Sequence, residues 1–395
     1  APHVDFGAAM DHVAATIAAI APHDSQERFE GLGVEVIRAR GRFVSPVEVV
    51  AGDRRIRARR FVIATGSRPA IPPVPGLDGV PFLTNETLFD LRERPAHLIV
   101  LGAGPVGLEM AQAHRRLGAR VTVIEAGRAL GREDPAAAAT VLQALRAEGV
   151  TIHEGVEAAG VAGEPGAVTV TLADGRTVAG SHLLVAAGRR VETDDLGLDA
   201  AGIRHGPQGI SVDAGLRSSN RRVFAIGDVS GGPMFTHVAG YHAGIVIRAA
   251  LFGLPARAST THLPRVVYTD PELAQAGLTG AAARKRHGRA LEVIELPFAG
   301  NDRARAEGRA EGFVKVMVLR GRPVGVTIVG PGAGELIHGW ALVLSGGLKM
   351  RALAGMVAPY PTLGEINKAA ASALFAPRLF GNPWLRRLVR LVQRF

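Results

Sequence analysis

The stretch HLIVLGAGPVGLEMAQAHRRLGARVTVIE, residues 97–125, indicates the fold of the chain. The apolar run His97–Leu101 has the length of a buried strand, and an Ala- and Leu-rich helical stretch follows it to about Leu117. Gly118 ends that helix, and a second apolar run, Arg120–Ile124, begins directly afterwards. Strand, helix and strand in this order predict a βαβ unit with a parallel sheet.

The turn between the first strand and the helix carries Gly102, Gly104 and Gly107 in a G-x-G-x-x-G pattern. In a βαβ unit these glycines permit a tight turn, a close backbone approach to a pyrophosphate, and close packing of helix on strand. The pyrophosphate rests on the helix N-terminus, where N–H groups and the helix dipole favour an anion. The unit therefore predicts a dinucleotide site, the alternative being a helix–strand turn without a ligand.

Glu125 closes the second strand, eighteen residues after Gly107, and is placed to accept the ribose hydroxyls of the dinucleotide. A carboxylate at this position repels a 2′-phosphate, so it favours NADH over NADPH. Arg128 weakens that preference and leaves NADPH as the alternative cofactor.

The composition limits the class of protein. The chain has 395 residues, 47% apolar and 21% charged, which suits a globular protein of two or three domains and excludes disorder and collagen. It has no cysteine, which excludes disulfides, zinc–thiolate sites and a cysteine nucleophile within these residues, and no metal site is expected. No apolar run has the length of a membrane span and no secretory signal opens the chain, so a cytoplasmic protein is expected.

The net charge of +10 comes mostly from arginine, and most arginines are interspersed with Asp and Glu. Nucleic-acid binding would require a basic cluster with aromatic residues, so it is not expected. The end of the chain differs, because residues 384–395 alternate apolar and basic side chains at helical spacing. Such a helix can lie on an anionic membrane surface, dock on its own domain, or dock on a partner subunit.

The remaining pattern predicts a first helix over residues 4–20 and a second from Asp24, where Asp24 and Glu27 suit a capping box. A strand is predicted at Val34–Ile37, and the Pro-rich residues 69–75 are interpreted as a linker between domains.

Two further strands end in short polar turns, one at Thr65-Gly66 and one at Gly227-Asp228. Either turn alone is an ordinary exit from a strand. Their order around a dinucleotide fold makes them informative, because together with other motifs they form a known series.

Six motifs, in order, make the chain similar to the pyridine nucleotide–disulfide oxidoreductases, the flavoprotein family of dihydrolipoamide dehydrogenase, glutathione reductase and mercuric reductase. The motifs are IATGSRP (63–69), VLGAGPVGLEMAQ (100–112), VAAGR (185–189), FAIGDV (224–229), YTDPELAQAGLT (268–279) and APYPTLGE (358–365). The resemblance covers essentially all of the chain. It implies an α/β fold with two interleaved Rossmann-like FAD and NAD(P) domains and a C-terminal α+β dimerisation domain. The expected parts are 1–90 and 211–258 for FAD, 91–210 for NAD(P), and 259–395 for dimerisation with a basic tail.

The resemblance also implies roles for single residues. Asp228 hydrogen-bonds the ribityl chain of FAD, and Thr236 and His237 present backbone N–H groups to the pyrimidine edge of the flavin. The helix that begins there stabilises the anion formed on flavin reduction. Glu109 corresponds to the family glutamate that pairs with a lysine beside the flavin, a lysine that is not in this chain. Cofactor binding is further assigned to Thr65, Gly66, Gly188 and Gly227.

Two departures from the family pattern bear on function. A first glycine-rich FAD loop and a C-x4-C redox pair precede IATGSRP in the family, and here they are expected upstream of Ala1, in a longer protein.

The H-P-T-x-x-E motif of disulfide reductases is replaced by Tyr360–Glu365, YPTLGE. A tyrosine with an ordinary pKa of about 10 is a poor base near neutral pH, but it donates a hydrogen bond. This argues against ordinary lipoamide or glutathione reduction, and mercuric reductases carry Tyr in a similar context. The alternative is that Tyr360 packs at a dimer interface.

The sequence thus predicts a homodimeric FAD-dependent NAD(P)H oxidoreductase with Glu109, Tyr360 and Glu365 as catalytic residues. Hydride passes from nicotinamide to flavin and on to a disulfide, a metal ion or another small acceptor, as in mercuric reductase. Without an upstream cysteine pair the acceptor is a quinone, a second nicotinamide or oxygen, as in soluble transhydrogenases. The remaining alternatives are a truncated, non-catalytic dinucleotide-binding dimer module and a redox partner held at a membrane surface through residues 384–395.

Overall fold

The chain divides into two compact units in a computed structural model that describes residues 4–381 and 383–394. The first unit comprises the residues up to Ala96, Val161–Val168 and Ser181–Ser259. The second comprises His97–Gly160, Thr169–Gly180 and the residues from Thr260 onward. Each unit is therefore assembled from separated stretches of sequence, as interleaved domains are. The finer domain boundaries given above stay a prediction.

The described chain contains both helices and strands. The helices are α1 (Phe6–Ile20), α2 (Gln26–Gly31), α3 (Pro105–Arg116), α4 (Pro135–Ala147), α5 (Thr236–Ala250), α6 (Gly280–His287), α7 (Asp302–Ala306), α8 (Ala333–Ser345), α9 (Met350–Ala354), α10 (Glu365–Ala373), α11 (Ala376–Phe380) and α12 (Pro383–Val392). The strands are β1 (Gly41–Ser45), β2 (Glu48–Ala51), β3 (Arg54–Arg57), β4 (Phe61–Ile63), β5 (Ser67–Pro69), β6 (His97–Leu101), β7 (Arg120–Glu125), β8 (Thr151–Glu154), β9 (Ala158–Glu164), β10 (Ala167–Leu172), β11 (Thr177–Gly180), β12 (His182–Val185), β13 (Arg189–Val191), β14 (His205–Gly206), β15 (Gly209–Ile210), β16 (Val223–Ala225), β17 (Pro264–Val267), β18 (Glu272–Gly277), β19 (Leu291–Pro297), β20 (Phe313–Leu319) and β21 (Arg322–Gly330).

The predicted βαβ unit is present as β6, α3 and β7, in the second unit. All five residues of β6 are buried, which is why this strand is apolar throughout rather than alternating. β6 pairs in parallel with β7, and β7 pairs in parallel with β8. Pro105 occupies the first turn of α3, where a missing N–H costs nothing. Gly118, at φ 94°, ends the helix as predicted.

A five-stranded antiparallel sheet in the order β17-β18-β21-β20-β19 follows in the same unit. Its valines and isoleucines pack against α8, α9 and α10 around Trp340, which is fully buried. The Trp340 indole Nε1–H donates to Asn367 Oδ1 at 2.8 Å, and Asn367 Nδ2 donates to the Leu336 carbonyl at 2.9 Å. The buried polar groups of this core are thereby paired.

The first unit is built around short strands. β16 pairs in parallel with β4, with Val223 opposite Phe61, and β13 pairs antiparallel with β5. Apolar residues from these strands and from the 196–212 stretch form one core cluster, and a second cluster packs Phe224 against Ile245 of α5. The pairing of β5 with β13 brings the 65–69 and 188–191 segments together.

Three local predictions are wrong. Residues 69–75 do not link two domains, because the residues before them and after them, up to Ala96, belong to the first unit. Residues Val34–Ile37 form no strand, and they are half-buried to exposed, without a partner strand. The second helix begins at Gln26, and its cap is Ser25, whose hydroxyl accepts the Arg28 N–H at 3.2 Å. Asp24 instead belongs to a preceding 3₁₀ turn, because Pro22 sets up that turn.

Within residues 4–381 and 383–394, no helix combines the length and the apolar character that crossing a bilayer requires.

Truncating Trp340 tests the packing of the antiparallel sheet. Trp340→Ala removes a fully buried ring and leaves Asn367 Oδ1 without its donor, so it is expected to lower the free energy of unfolding by about 3–5 kcal/mol. Leu342→Ala is the matched control in the same helix, because Leu342 is 67% exposed, and its effect is expected within about 0.5 kcal/mol. Urea unfolding followed by circular dichroism measures both, and equal losses would contradict the core described here.

Candidate functional site

The glycine-rich loop has the geometry that close packing requires. Gly102 adopts φ 106°, a conformation that favours glycine, and its N–H donates to the Ile124 carbonyl at 2.8 Å. A Cβ at Gly107 would lie 2.1 Å from the Gly102 carbonyl oxygen. Only glycine at position 107 therefore lets the first turn of α3 rest against the end of β6.

Gly104 plays the other part predicted for this loop. It is the N-cap of α3, with φ −76° and no side-chain cap, and a Cβ there would meet nothing within 4 Å. The space in front of the helix N-terminus is thus open, and the helix dipole points into it. This is a cradle that a side chain would fill, as expected for a pyrophosphate site.

Glu125 is half-buried at the end of β7, and its carboxylate is tied to the glycine-rich loop. Oε2 accepts the Ala103 N–H at 2.8 Å, and Oε1 accepts the Gly127 N–H at 2.9 Å. Each oxygen retains a second lone pair, which leaves acceptor capacity for ribose hydroxyls. The sequence predicts only the ribose role of Glu125; its second function, holding the glycine-rich loop in place, becomes visible in the structure.

The Thr65-Gly66 and Gly188 motifs come together in the first unit. Thr65 Oγ1 donates to the Glu192 carbonyl at 2.6 Å, and the Gly66 carbonyl accepts the Glu192 N–H at 3.0 Å. The Gly188 carbonyl accepts the Ala70 N–H at 3.0 Å. Gly66 and Gly188 both have positive φ, 71° and 135°, so their conformations depend on the absence of a side chain.

Asp228 lies in a 3₁₀ turn, Gly227–Ser230, and it has partners that sequence reasoning missed. Its Oδ2 accepts the Ser67 hydroxyl and lies 3.8 Å from Arg189 Nε. Arg189 in turn donates to Ser67 Oγ at 2.6 Å and to the Ser67 carbonyl at 2.7 Å. Ser67 directly follows Thr65-Gly66, and Arg189 directly follows Gly188. Their positions next to glycine motifs are the sequence signal that could have identified them as partners of Asp228.

Thr236 and His237 are the first residues of α5, and both are exposed. The N-cap residue, Phe235, makes no side-chain cap hydrogen bond. His242 of the same helix accepts the Gly227 N–H on Nδ1 at 3.3 Å. Burial lowers the pKa of His242, which keeps the imidazole neutral and able to accept that bond. The helix and the Asp228 turn are thereby joined.

Glu109 projects from α3 onto the YTDPE segment. Its Oε1 accepts the Tyr268 backbone N–H at 2.8 Å. One helical turn later, Gln112 Nε2 donates to the Asp270 carbonyl at 2.7 Å, and Gln112 Oε1 accepts the Asp270 N–H at 2.7 Å. Arg116 adds an ion pair to Asp270 at 2.9 Å. The segment that follows β17 is therefore held along one face of α3, a role for this motif that the sequence did not reveal.

Burial raises the pKa of Glu109, and the hydrogen bond from Tyr268 N–H opposes that shift. The family resemblance pairs this glutamate with a lysine that the chain lacks. In the structure its partner inside the chain is a backbone donor instead.

Tyr360 and Glu365 do not contact each other through a hydrogen bond. The exposed Tyr360 hydroxyl donates to Asp302 Oδ2 at 3.1 Å, whereas Glu365 Oε2 accepts the Thr362 N–H at 3.3 Å. The bond to Asp302 and the charge of Asp302 raise the pKa of Tyr360. Tyr360 therefore keeps its proton at neutral pH and acts as a hydrogen-bond donor. Asp302 was not identified from the sequence, because it lies 58 residues away from Tyr360.

The raised pKa of Glu109 gives a testable pH dependence. The folded chain holds this proton to higher pH than the unfolded chain, whose carboxyl titrates at about 4.3. Between that value and the raised folded pKa, the wild type loses stability as the pH rises. Glu109→Gln keeps an acceptor oxygen for Tyr268 N–H and removes the charge. Its melting temperature relative to wild type is expected to be higher at about pH 7 than at about pH 4.

Thermal unfolding over that pH range measures the difference, with the exposed Glu86→Gln as control. A Glu109→Gln difference that does not change with pH, or that changes in the opposite direction, would show that Glu109 is charged without cost in the folded chain.

Comparison with known proteins agrees with this geometry. The family described as pyridine nucleotide-disulphide oxidoreductase matches residues 11–243, and the dimerisation domain of the same family matches residues 263–371. The mercuric reductase of Streptomyces lividans is 38% identical over 326 residues, covering 81% of this chain and 69% of that protein. The mercuric reductase of Acidithiobacillus ferrooxidans is 36% identical over 357 residues, covering 87% of this chain and 65% of that protein. The chain thus spans about two thirds of the length of these relatives.

Among solved structures, the HOCl-induced flavoprotein disulfide reductase of Escherichia coli, in its Cu(II) complex, matches with a TM-score of 0.86 and 28% identity. That match covers 94% of this chain and 86% of the other. These similarities confirm the predicted fold class, with Rossmann-like nucleotide domains and a C-terminal dimerisation domain. The family consists of flavoenzymes that use FAD and NAD(P)H. The chain belongs to the pyridine nucleotide-disulphide oxidoreductase family.

Proposed function

We propose that this protein is an FAD-dependent NAD(P)H oxidoreductase that works as a homodimer and reduces a small acceptor, as its mercuric reductase relatives do. FAD, when bound, supplies the redox chemistry, since it takes two electrons and a proton from the nicotinamide as hydride and passes them on. The observation that carries the proposal is the glycine cradle of the βαβ unit, where Gly107 has no room for a side chain and Gly104 faces open space.

The nicotinamide dinucleotide would be held by the second unit. Its pyrophosphate would occupy the open space at Gly104, against the N-terminus of α3. The Glu125 carboxylate would accept the ribose hydroxyls with the lone pairs that Ala103 and Gly127 leave unused. Its negative charge disfavours a 2′-phosphate, which supports NADH as the preferred donor over NADPH.

The residues present also fit the ribityl and pyrimidine portion of FAD. Asp228 provides a carboxylate held by Ser67 and faced by Arg189, and this carboxylate would accept a ribityl hydroxyl. The N-terminus of α5, which begins at Thr236 and His237, would direct the positive end of the helix dipole toward electron-rich flavin atoms. Thr65, Gly66 and Gly188 hold the strand ends that carry Ser67 and Arg189 in place.

Two features of this chain limit the class of electron acceptor that it could reduce. Tyr360 keeps its proton because of Asp302, so it is suited to donate a hydrogen bond rather than to act as the base of a thiol interchange. The chain also has no cysteine. Reduction of a disulfide or of Hg(II) by a thiol relay would therefore need cysteines outside these 395 residues. A quinone or a second nicotinamide needs none.

Two glycine variants separate binding of the dinucleotide from folding of its domain. Gly107→Ala places a Cβ 2.1 Å from the Gly102 carbonyl oxygen, so it is expected to lower both the melting temperature and the affinity for NADH. Gly104→Ala meets no protein atom within 4 Å and has an ordinary φ, so it is expected to leave the melting temperature unchanged. Its methyl group fills the approach to the helix N-terminus, which should weaken NADH binding at least about tenfold. Calorimetric titration measures the NADH affinity of both variants, and thermal unfolding measures their melting temperatures. Wild-type affinity in Gly104→Ala would contradict the site.

The function itself is tested by acceptor-dependent NADH oxidation with the FAD-loaded chain. We expect oxidation with a quinone as acceptor, and Asp228→Ala should weaken FAD binding about tenfold or more, because a hydrogen bond to a charged group is lost. Asp53→Ala, at an exposed turn, is the control. Lipoamide and Hg(II) salts serve as thiol-dependent acceptors. NADH binding without oxidation by any acceptor would favour the non-catalytic dinucleotide-binding module.

A further inference from the structure

The C-terminal helix α12, residues 383–392, gathers its large apolar side chains on one face and its arginines on the other. On a helical wheel of 100° per residue, six apolar side chains span an arc of about 160°. Those residues are Trp384, Leu385, Leu388, Val389, Leu391 and Val392. The remaining arc carries Pro383 and three arginines, Arg386, Arg387 and Arg390, and Arg394 continues it one turn later.

The apolar arc is exposed to solvent in the part of the chain that the structure describes. Every residue of α12 is exposed except the half-buried Leu385. Trp384 is 76% exposed and Val392 is 65% exposed, and the preceding Phe380 is 67% exposed. Burying such surface is favourable, at roughly 25 cal/mol per Å² of apolar area, so an apolar helix face left in water indicates that something covers it.

The charged residues near α12 indicate the chemistry of the partner that would cover its apolar face. No Asp or Glu occurs after Glu365, whereas six Lys or Arg residues do: Lys368, Arg378, Arg386, Arg387, Arg390 and Arg394. A partner must therefore have an apolar interior that can bury the apolar face of α12 and negative charges at its surface that can pair with the arginines. An anionic lipid surface has both, with acyl chains for Trp384 and the leucines and phosphates for the arginines.

A second copy of this chain fits less well. Pairing two α12 helices through their apolar faces would bring two sets of arginines together without any carboxylate in the segment to offset them. We propose that α12 is an interfacial anchor that lies in the plane of an anionic membrane, with its apolar arc among the acyl chains and its arginines at the phosphates. The anchor does not depend on the proposed redox activity.

The chain offers an internal optical reporter for this anchor. It has two tryptophans, and Trp340 is fully buried whereas Trp384 is 76% exposed. A blue shift of tryptophan fluorescence on mixing with vesicles therefore reports entry of Trp384 into an apolar environment. Trp384→Phe should abolish the shift and retain the binding, which checks the assignment.

The test uses the full chain and two kinds of vesicle, phosphatidylcholine alone and an equal mixture with phosphatidylglycerol. We expect flotation with the anionic vesicles at low salt and at least about tenfold weaker binding to the neutral ones, since each arginine near an anionic surface contributes roughly a fivefold gain. Leu388→Glu with Leu391→Glu should abolish binding through loss of the apolar face. Arg387→Glu, Arg390→Glu and Arg394→Glu together should weaken it at least about 100-fold.

The matched control reverses three charges on α6 instead, Arg284→Glu, Lys285→Glu and Arg286→Glu, and should bind like wild type. Light scattering of each variant records its oligomeric state, and circular dichroism records its folding. Binding that is lost equally in the α6 control would show unspecific attraction of a basic protein and overturn the proposal. No binding to either vesicle would also overturn it, as would a dimer that dissociates when Leu388 and Leu391 are replaced.

Discussion

The contact between the first turn of α3 and the end of β6 is the constraint on which the dinucleotide site depends. A Cβ at Gly107 would come within 2.1 Å of the Gly102 carbonyl oxygen, so the helix reaches this position only because residue 107 is glycine. That position aims the helix N-terminus at the open space in front of Gly104. It also brings the Ala103 N–H to the Glu125 carboxylate, 2.8 Å away. One close approach thus sets the open space at the helix N-terminus, the position of the Glu125 carboxylate and, further along α3, the contacts of Glu109 and Gln112.

In both units, several loops are held by hydrogen bonds between a side chain and the backbone of another segment. Glu125, Glu109 and Thr65 each bind a backbone group of another segment, and so does Gln112. Such bonds fix the path of a loop without requiring a particular residue at the other end. The candidate ligand-binding loops are therefore positioned before any ligand arrives, which reduces the entropy that binding must offset.

Sequence reasoning predicted the parts of this protein that are local in the chain. The βαβ unit, the tight turn at Gly102, the close packing at Gly107 and the helices α1 and α12 follow from periodicity and from glycine spacing, which are properties of neighbouring residues. It failed where a partner is distant. Ser67 binds Asp228, which lies more than a hundred residues later in the chain, and Arg189 lies beside Asp228 because β5 pairs with β13. Asp302 and Tyr360, which share a hydrogen bond, are 58 residues apart. Val34–Ile37 failed for the opposite reason, since β propensity without a partner strand does not form a sheet.

The central claim is that these residues build a working nicotinamide site together with the ribityl and pyrimidine portion of a flavin site. The most direct test is a visible absorption spectrum of the purified chain after incubation with FAD and desalting, recorded before and after anaerobic NADH. The account predicts flavin bands that survive desalting and bleach with NADH. A chain that retains no flavin, or that retains flavin which NADH does not bleach, would contradict it and leave a dinucleotide-binding module without redox function.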